Sequence, residues 1–213
     1  MKKLLIATTN PAKFAEIKKF LSDLPCVLVS LADVGITDDV VEDGATFEEN
    51  AKKKALFYAE RSGLPTISDD GGLEVDVLDG APGVYSKRWI GRENATTQEY
   101  IDFVLDKMKD VADDARGAQL RTVVAYAEPG GKAETAEEKV RGIIPLHASG
   151  YREEGFPYRA LLFIPELGKF YNHMEMTEDE EEKYNHRKKA LEKLKKYIVN
   201  LPRKSDILAH NIK

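Results

Sequence analysis

Residues 3–21, KLLIATTNPAKFAEIKKFL, contain one change of hydrophobic period, and that change decides the fold. Residues 3–8 (KLLIAT) carry apolar side chains at consecutive positions, the pattern of a buried strand. Asn10-Pro11 then opens a helix reaching about Leu21. Phe14, Ile17, Phe20 and Leu21 recur at helical spacing, and Pro11 suits a first turn, where its missing N–H has no intrahelical partner to lose. A buried strand feeding a helix is the start of an α/β domain.

Outward from this unit, residues 26–31 (CVLVSL) read as a second strand, followed by an acidic loop over 37–44. Thr46-x-x-Glu49 has the form of a capping box ahead of a helix to about Arg61, which Gly63 and Pro65 end. Residues 65–69 and 73–77 read as two short strands separated by Ser68-Asp69-Asp70-Gly71-Gly72. Residues 80–83 form a Pro/Gly turn. Thr96 or Thr97 caps a helix to about Met108. Residues 120–127 and 139–146 read as a hairpin whose long, charged connection starts at Glu128-Pro129-Gly130-Gly131. Residues 161–164 are a further strand, and 177–200 one long helix with a charged face. There is no internal repeat and no low-complexity linker. The expected organisation is a single domain over 1–200 with a patternless tail, 201–213.

The 213 residues are 42% hydrophobic, carry a net charge of −5, and have a mean hydropathy of −0.43. No apolar run approaches the ~20 residues that span a bilayer. The apolar stretch after Lys2-Lys3 ends at Thr8, too soon for a secretory signal, so no membrane partner is expected. Cys26 is the only cysteine, which excludes a disulfide scaffold and a cysteine-based zinc site and fits a reducing cytoplasm. A net negative surface does not attract nucleic acid. Positive charge for an anionic ligand must be local.

Three features carry chemistry. Thr8-x-Asn10-x-x-Lys13 lies at a strand-to-helix junction, where backbone amides attract anions and a first-turn lysine adds charge. Simple capping explains the same residues, and no Gly-x-x-x-x-Gly-Lys-Ser/Thr loop is present. Glu42 and Asp43 precede Gly44, and Asp69-Asp70 precede Gly71-Gly72. Carboxylates at strand ends suit magnesium, which takes a few carboxylate oxygens plus water and substrate phosphates; Asp-Gly pairs are also common surface turns. In Lys52-Lys53-Lys54, helical geometry lets at most one lysine be a ligand. His147, His173 and His210 lack paired neighbours, whereas His186-Arg187 can supply donors to a base or a phosphate.

Taken together these motifs resemble the inosine triphosphate pyrophosphatase (XTP/dITP diphosphatase) family. The resemblance is collinear from about residue 4 to 195. It rests on Ala7-Thr8-Thr9-Asn10-x-x-Lys13, Glu42-x-Gly44-x-Thr46-Phe47-x-Glu49-Asn50-Ala51-x-x-Lys54-Ala55 and Ser68-Asp69-Asp70-Gly71-Gly72-Leu73-Glu74-Val75-Asp76. It continues through Gly80-Ala81-Pro82-Gly83-Val84-Tyr85-Ser86-x-Arg88, Gly155-Phe156-x-Tyr158 and His186-Arg187. It implies an α/β fold with a long mixed β-sheet flanked by helices and two lobes around a nucleotide-binding cleft. It also implies a cytoplasmic, homodimeric, magnesium-dependent enzyme that hydrolyses deaminated purine triphosphates (ITP, dITP, XTP) to monophosphate and pyrophosphate. On this chain it implies that Thr8, Thr9, Asn10 and Lys13 hold the triphosphate with Lys54 as a second cation. Glu42 and Asp70 would handle Mg2+, with Asp70 as proton acceptor for the attacking water. Gly71, Phe156, Pro157, Tyr158, Arg159, Glu181, His186 and Arg187 would complete the substrate site.

Departures from the family pattern cluster on the base side. Gly71 stands where serine is usual. The Gly-Phe-Gly-Tyr/Trp-Asp-Pro pattern reads Gly155-Phe156-Pro157-Tyr158-Arg159-Ala160, so an acid has become Arg159. Counting back from His186, Glu181 replaces the family lysine and Asn185 the serine. An ionised carboxylate accepts but does not donate, so Glu181 suggests an altered preference, toward an amino-bearing or modified base. Two plainer readings compete: Arg159 and Glu181 re-form a swapped ion pair, or a two-residue shift puts Lys183 in the lysine's place. A non-catalytic nucleotide-binding relative is the remaining reading, opposed by retention of Lys13, Glu42, Lys54 and Asp70.

Overall fold

β1 (Lys2–Ile6) is central and short, with Leu4, Leu5 and Ile6 fully buried. It pairs in parallel with β2 (Cys26–Ser30) on one side and β3 (Thr66–Val75) on the other. Antiparallel strands β4 (Gly117–Ala127), β5 (Ala133–Ile143), β6 (Phe163–Ile164) and β7 (Lys169–Phe170) complete a seven-stranded mixed sheet in the order β2-β1-β3-β4-β5-β6-β7. The computed structural model describes residues 2–92 and 95–199, so the tail expected over 201–213 lies outside the described residues. No described helix is long and apolar enough to cross a membrane.

Helices cover both faces of the sheet. α1 (Pro11–Phe20) and α5 (His186–Val199) bury Ile17, Phe20, Leu191 and Leu194 against Leu4, Ile6, Ile67 and Val124. α2 (Phe47–Ser62) lays Phe47, Ala51, Ala55 and Ala59 on Val123, Ala125 and Ala127 of the other face. The small side chains let the helix sit close. The far halves of β3 and β4 enter a second core, where Leu73, Val75, Ala118 and Leu120 meet Ile101 and Val104 of α3 (Thr97–Lys107) and Tyr158. Thr96 closes a full capping box with Glu99. At α2, Thr46 accepts from the Glu49 amide, but the Glu49 carboxylate reaches the Ala45 amide instead of Thr46.

Three sequence expectations need correction. Residues 65–69 and 73–77 are not two strands: β3 runs unbroken from Thr66 to Val75, with Gly71 opposite Thr122 and Gly72 opposite Arg121. Asp-Asp-Gly-Gly has the composition of a turn, yet here both glycines stay extended and serve close approach. The hairpin's second strand starts at Ala133, not 139, and its connection is only residues 128–132. The charged run hid period-two burial, in which Ala136 and Val140 face inward. The predicted helix over 177–200 is two: α4 (Glu178–Tyr184) and α5, separated by Asn185, whose extended backbone ends one and whose Oδ1 accepts from the Lys188 amide at 3.0 Å.

A Cβ built on Gly71 would overlap the Arg121 carbonyl oxygen and lie 2.9 Å from Thr122 Cα. Gly71→Ser therefore destabilises the fold by about 1–3 kcal/mol, because backbone of the neighbouring strand cannot yield cheaply. Urea denaturation of the two proteins checks this, and equal midpoints would show that β4 gives way without cost.

Candidate active site

Successive residues of a strand face opposite sides of a sheet. Ile67 packs toward α1 and α5, while Ser68 Oγ donates to the Ala51 carbonyl of α2 at 2.7 Å. The same alternation sends Asp69 to the α1/α5 face and Asp70 to the α2 face. Beyond Ile67, β1 no longer pairs with β3, so both aspartates sit on a strand edge just past the C-terminal end of β1. This is where α/β folds gather ligands.

On the first face, Asp69 Oδ2 lies 3.0 Å from Lys13 Nζ and 3.3 Å from Arg187 Nη2. On the second, Lys54 Nζ lies 2.8 Å from Glu42 Oε2 and 3.6 Å from Asp70 Oδ1. Glu42 is brought there by its loop, which Asn50 Oδ1 pins at the Gly44 amide (2.8 Å) and Arg88 Nη1 at the Glu42 carbonyl (3.0 Å). Asp69 Oδ1 and Asp70 Oδ2 are buried with no hydrogen-bond partner among the described residues. Such oxygens are costly unless something occupies them.

The two aspartates have opposite proton affinities. Burial alone raises the Asp69 pKa, but Lys13, Arg187 and Lys54 outweigh it and hold the carboxyl well below the usual range. For Asp70 burial prevails over Lys54 and Lys13, and Glu42 adds repulsion, so its pKa is raised. Lys54 remains charged: burial opposes this, but Asp70, Glu42 and Asp69 raise its pKa. Asp69 is thus a fixed charge and Asp70 the better base.

At the β1–α1 junction the capping reading describes the observed bonds. Asn10 Oδ1 accepts from the Ala12 and Lys13 amides at 2.9 and 3.2 Å, and Thr8 Oγ1 accepts from the Asn10 amide at 3.2 Å. Asn10 Nδ2 also donates to Gly155 O at 3.0 Å, tying this turn to the loop that carries Phe156. Thr9 is exposed beside them.

On the base side, Pro157, Tyr158 and Arg159 lie in a 3-10 turn, Pro157–Ala160. The Arg159 guanidinium stacks 3.8 Å from the Phe156 ring centre, and the Arg187 guanidinium lies 5.1 Å from it. Arg159 bonds Glu16 Oε1 at 2.6 Å and Glu153 Oε2 at 3.1 Å, and Arg187 Nη1 bonds Glu16 Oε2. Glu153, Arg159, Glu16, Arg187, Asp69 and Lys13 therefore form a chain of alternating charge. His186 is buried with Nδ1 3.0 Å from Tyr171 Oη. Burial and the flanking guanidiniums push its pKa well below the ordinary value, so it is neutral.

The Ham1 family model matches residues 4–197. The chain belongs to the Ham1 family. Among its Ham1 relatives, a dITP/XTP pyrophosphatase of Clostridium perfringens is 42% identical over 201 residues, covering 92% of this chain and 96% of that one. A dITP/XTP pyrophosphatase of Thermus thermophilus is 42% identical over 192 residues, covering 90% and 89%. A solved HAM1 protein from Coxiella burnetii superposes with a TM-score of 0.79 at 31% identity, covering 93% of this chain and 98% of its own. A nucleoside-triphosphatase / dITP/XTP pyrophosphatase from Mycobacterium abscessus does so with 0.70 at 34% identity, covering 94% and 100%.

Against this Ham1 framework, the swapped pair of Arg159 and Glu181, one of the alternatives the sequence left open, does not form. Arg159 belongs to Glu16 and Glu153, while Glu181 accepts from Lys19 Nζ at 2.8 and 3.0 Å. Lys183 does not replace the family lysine in the buried chain: it is exposed, its ammonium 5.0 Å from the Tyr184 ring. Sequence reading missed Glu16, Asp69 as an anchor, and Glu153. For Glu16 a signal was available, since Lys13-x-x-Glu16 puts both side chains on one helix face.

Burial raises the Glu16 pKa, but Arg187 and Arg159 overcome it and lower the value from 4.5 to about 2. A carboxyl whose folded pKa is depressed stabilises fully above its unfolded pKa and loses that contribution as pH falls toward the folded one. The Glu16 contribution, about 3 kcal/mol at 1.36 kcal/mol per unit, is thus present above pH 4.5 and lost toward pH 2. Glu16→Gln leaves two buried guanidiniums short of a counter-charge and costs about 3–5 kcal/mol at neutral pH. Denaturation at several pH values should show the variant's deficit shrinking below pH 4.5; a deficit constant down to pH 2 would count against the ionised Glu16.

Proposed function

We propose that the chain is a magnesium-dependent nucleoside triphosphate pyrophosphohydrolase that converts dITP, ITP or XTP to the monophosphate and pyrophosphate. The observation that carries this is the split pair on β3: a charged Asp69 anchoring Lys13 and Arg187, and an Asp70 of raised proton affinity sharing Lys54 with Glu42. The curated Ham1 relatives named dITP/XTP pyrophosphatase supply the reaction class.

The residues fit a hard divalent cation. Among the described residues Asp70 keeps a buried, unpartnered oxygen, and Glu42 meets it across the same ammonium. Two carboxylates are the donor set of magnesium, which fills its remaining positions with water and phosphate oxygens. When bound by Glu42 and Asp70, the ion would supply charge neutralisation at the phosphoryl oxygens. Lys13 and Lys54 add positive charge on either side of β3, as phosphoryl transfer requires. The Thr8 and Thr9 hydroxyls supply donors to the triphosphate, and Asn10 shapes the turn that carries them, while the missing side chain of Gly71 makes room for β4. Asp70, whose proton affinity burial raises, takes the proton from the attacking water. No covalent nucleophile is needed.

For the base, the family resemblance implies Phe156, Pro157 and Tyr158 of the base-side turn, with His186 at the start of α5. Arg159 and Arg187, beside Phe156, carry donors only, which suits the oxo groups of hypoxanthine and xanthine over the amino group of adenine. Glu181 is paired with Lys19 of α1, and it is the donor-only guanidiniums that favour deaminated purines over an amino-bearing base. A homodimer in a reducing cytoplasm, acting on free nucleotides and not on nucleic acid, completes the proposal and rests on the family resemblance.

Pyrophosphate release across ITP, dITP, XTP, the eight standard triphosphates and several modified-base nucleotides tests it. Release should require magnesium, stop with chelator, favour the deaminated purines, and fall by about 10²-fold or more in Asp70→Asn. Dominance of another base would re-assign the pocket through Arg159. Silence across the panel would favour a binding protein without turnover.

A further inference from the structure

Ser86 closes the 3-10 turn Gly83–Tyr85 and is buried, with 8% of its surface exposed. Its hydroxyl donates to the Gly83 carbonyl at 2.7 Å and accepts from the Leu73 amide at 3.2 Å. Leu73 lies on β3 on the edge that β1 has left, three residues past Asp70. The hydroxyl sits in the notch made by Gly72, where a Cβ would overlap Ser86 Oγ and lie 2.7 Å from Ser86 Cβ. The Ser86 carbonyl in turn accepts from Tyr158 Oη at 2.6 Å, so the turn that follows Phe156 is bonded to the same residue. Two residues on, Arg88 holds the Glu42 carbonyl. One short segment therefore touches the strand of Asp70, the loop of Glu42 and the base-side turn.

We propose that Ser86 is a positioning residue, which holds β3 at Gly72–Leu73 so that Asp70 faces Glu42 and links that placement to Tyr158 on the base side. A buried amide without its acceptor is costly, and the strand relieves that cost by shifting. A small shift at Asp70 separates the two carboxylates and misplaces the base. The inference rests on the proposed metal-dependent reading, and its test includes a measurement that needs no turnover.

The test uses the full chain and three variants, Ser86→Ala, Ser86→Thr and Tyr158→Phe, with Tyr100→Phe as a structural control. Tyr100 Oη donates to the Lys87 carbonyl at 2.6 Å in the same segment but does not bond to β3. Mn2+ affinity is measured by calorimetry, and kcat and KM for dITP are measured well below each unfolding temperature. Ser86→Ala is expected to weaken Mn2+ binding several-fold and lower kcat on the order of tenfold with KM changed by less than about twofold, the signature of misplaced reacting groups. Ser86→Thr, which keeps the hydroxyl, recovers most of the loss. Tyr158→Phe moves both quantities in the same direction by less, and Tyr100→Phe lowers only thermal stability. Unchanged Mn2+ affinity and kcat in Ser86→Ala, with only a lower Tm, would overturn the proposal, as would wild-type protein that binds no Mn2+. If wild type binds Mn2+ but releases no pyrophosphate from any nucleotide, the proposed function fails while the Mn2+ comparison still decides the role of Ser86.

Discussion

The pleat of β3 is the constraint on which the rest of the site depends. Side chains along a strand alternate with a period of two, so Asp69 and Asp70, adjacent in the chain, must leave the sheet in opposite directions. One is claimed by α1 and α5, the other by α2 and the loop before it. Because β1 stops pairing at Ile67, β3 has no strand neighbour on this edge at the two aspartates. The two like charges lie on separate faces, with Lys13 and Arg187 in contact with Asp69 and Lys54 nearest Asp70. The outcome is one carboxyl held ionised and one left ready to take a proton.

Asp69 is also the end of a longer arrangement. Lys13, Asp69, Arg187, Glu16, Arg159 and Glu153 alternate in sign, and most are buried. Each charge taken from water costs several kcal/mol, and only a partner on each side offsets it. The arrangement is therefore weak evidence for added stability but strongly intolerant of losing a member. It ties α1, α5, β3 and the Phe156 loop into one electrostatic unit, and Arg159 uses both a carboxylate on each flank and the face of Phe156. Arginine suits this place because its planar guanidinium can stack and bond at once.

The site is thus served by two kinds of connection. Charge joins the α1/α5 face to the base side through Arg187 and Arg159. Neutral hydrogen bonds through Ser86 and Tyr158 join the base side to the far part of β3. The long strands β3 and β4 make this possible, since their two halves lie in two different cores, and the carboxylates fall between them.

Local signals alone determined much of the protein. The strand–helix unit at residues 3–21 and the caps at Asn10 and Thr46 were legible, and Thr96 was one of two candidate caps, because each depends on neighbours within a few residues. Tertiary structure decided the rest. Glycines at 71 and 72 read as a turn, but their purpose is steric room against Arg121 and Ser86, which lie far away in the chain. An exchanged pair of Glu181 and Arg159 was one of the readings left open, but α1 supplies Lys19 to one and Glu16 to the other. Glu16, which sequence reading missed, becomes a counter-ion through burial against two arginines. Sequence spacing specifies which way a side chain leaves its own helix or strand, whereas the identity of what it meets is set by packing between segments that no local period describes.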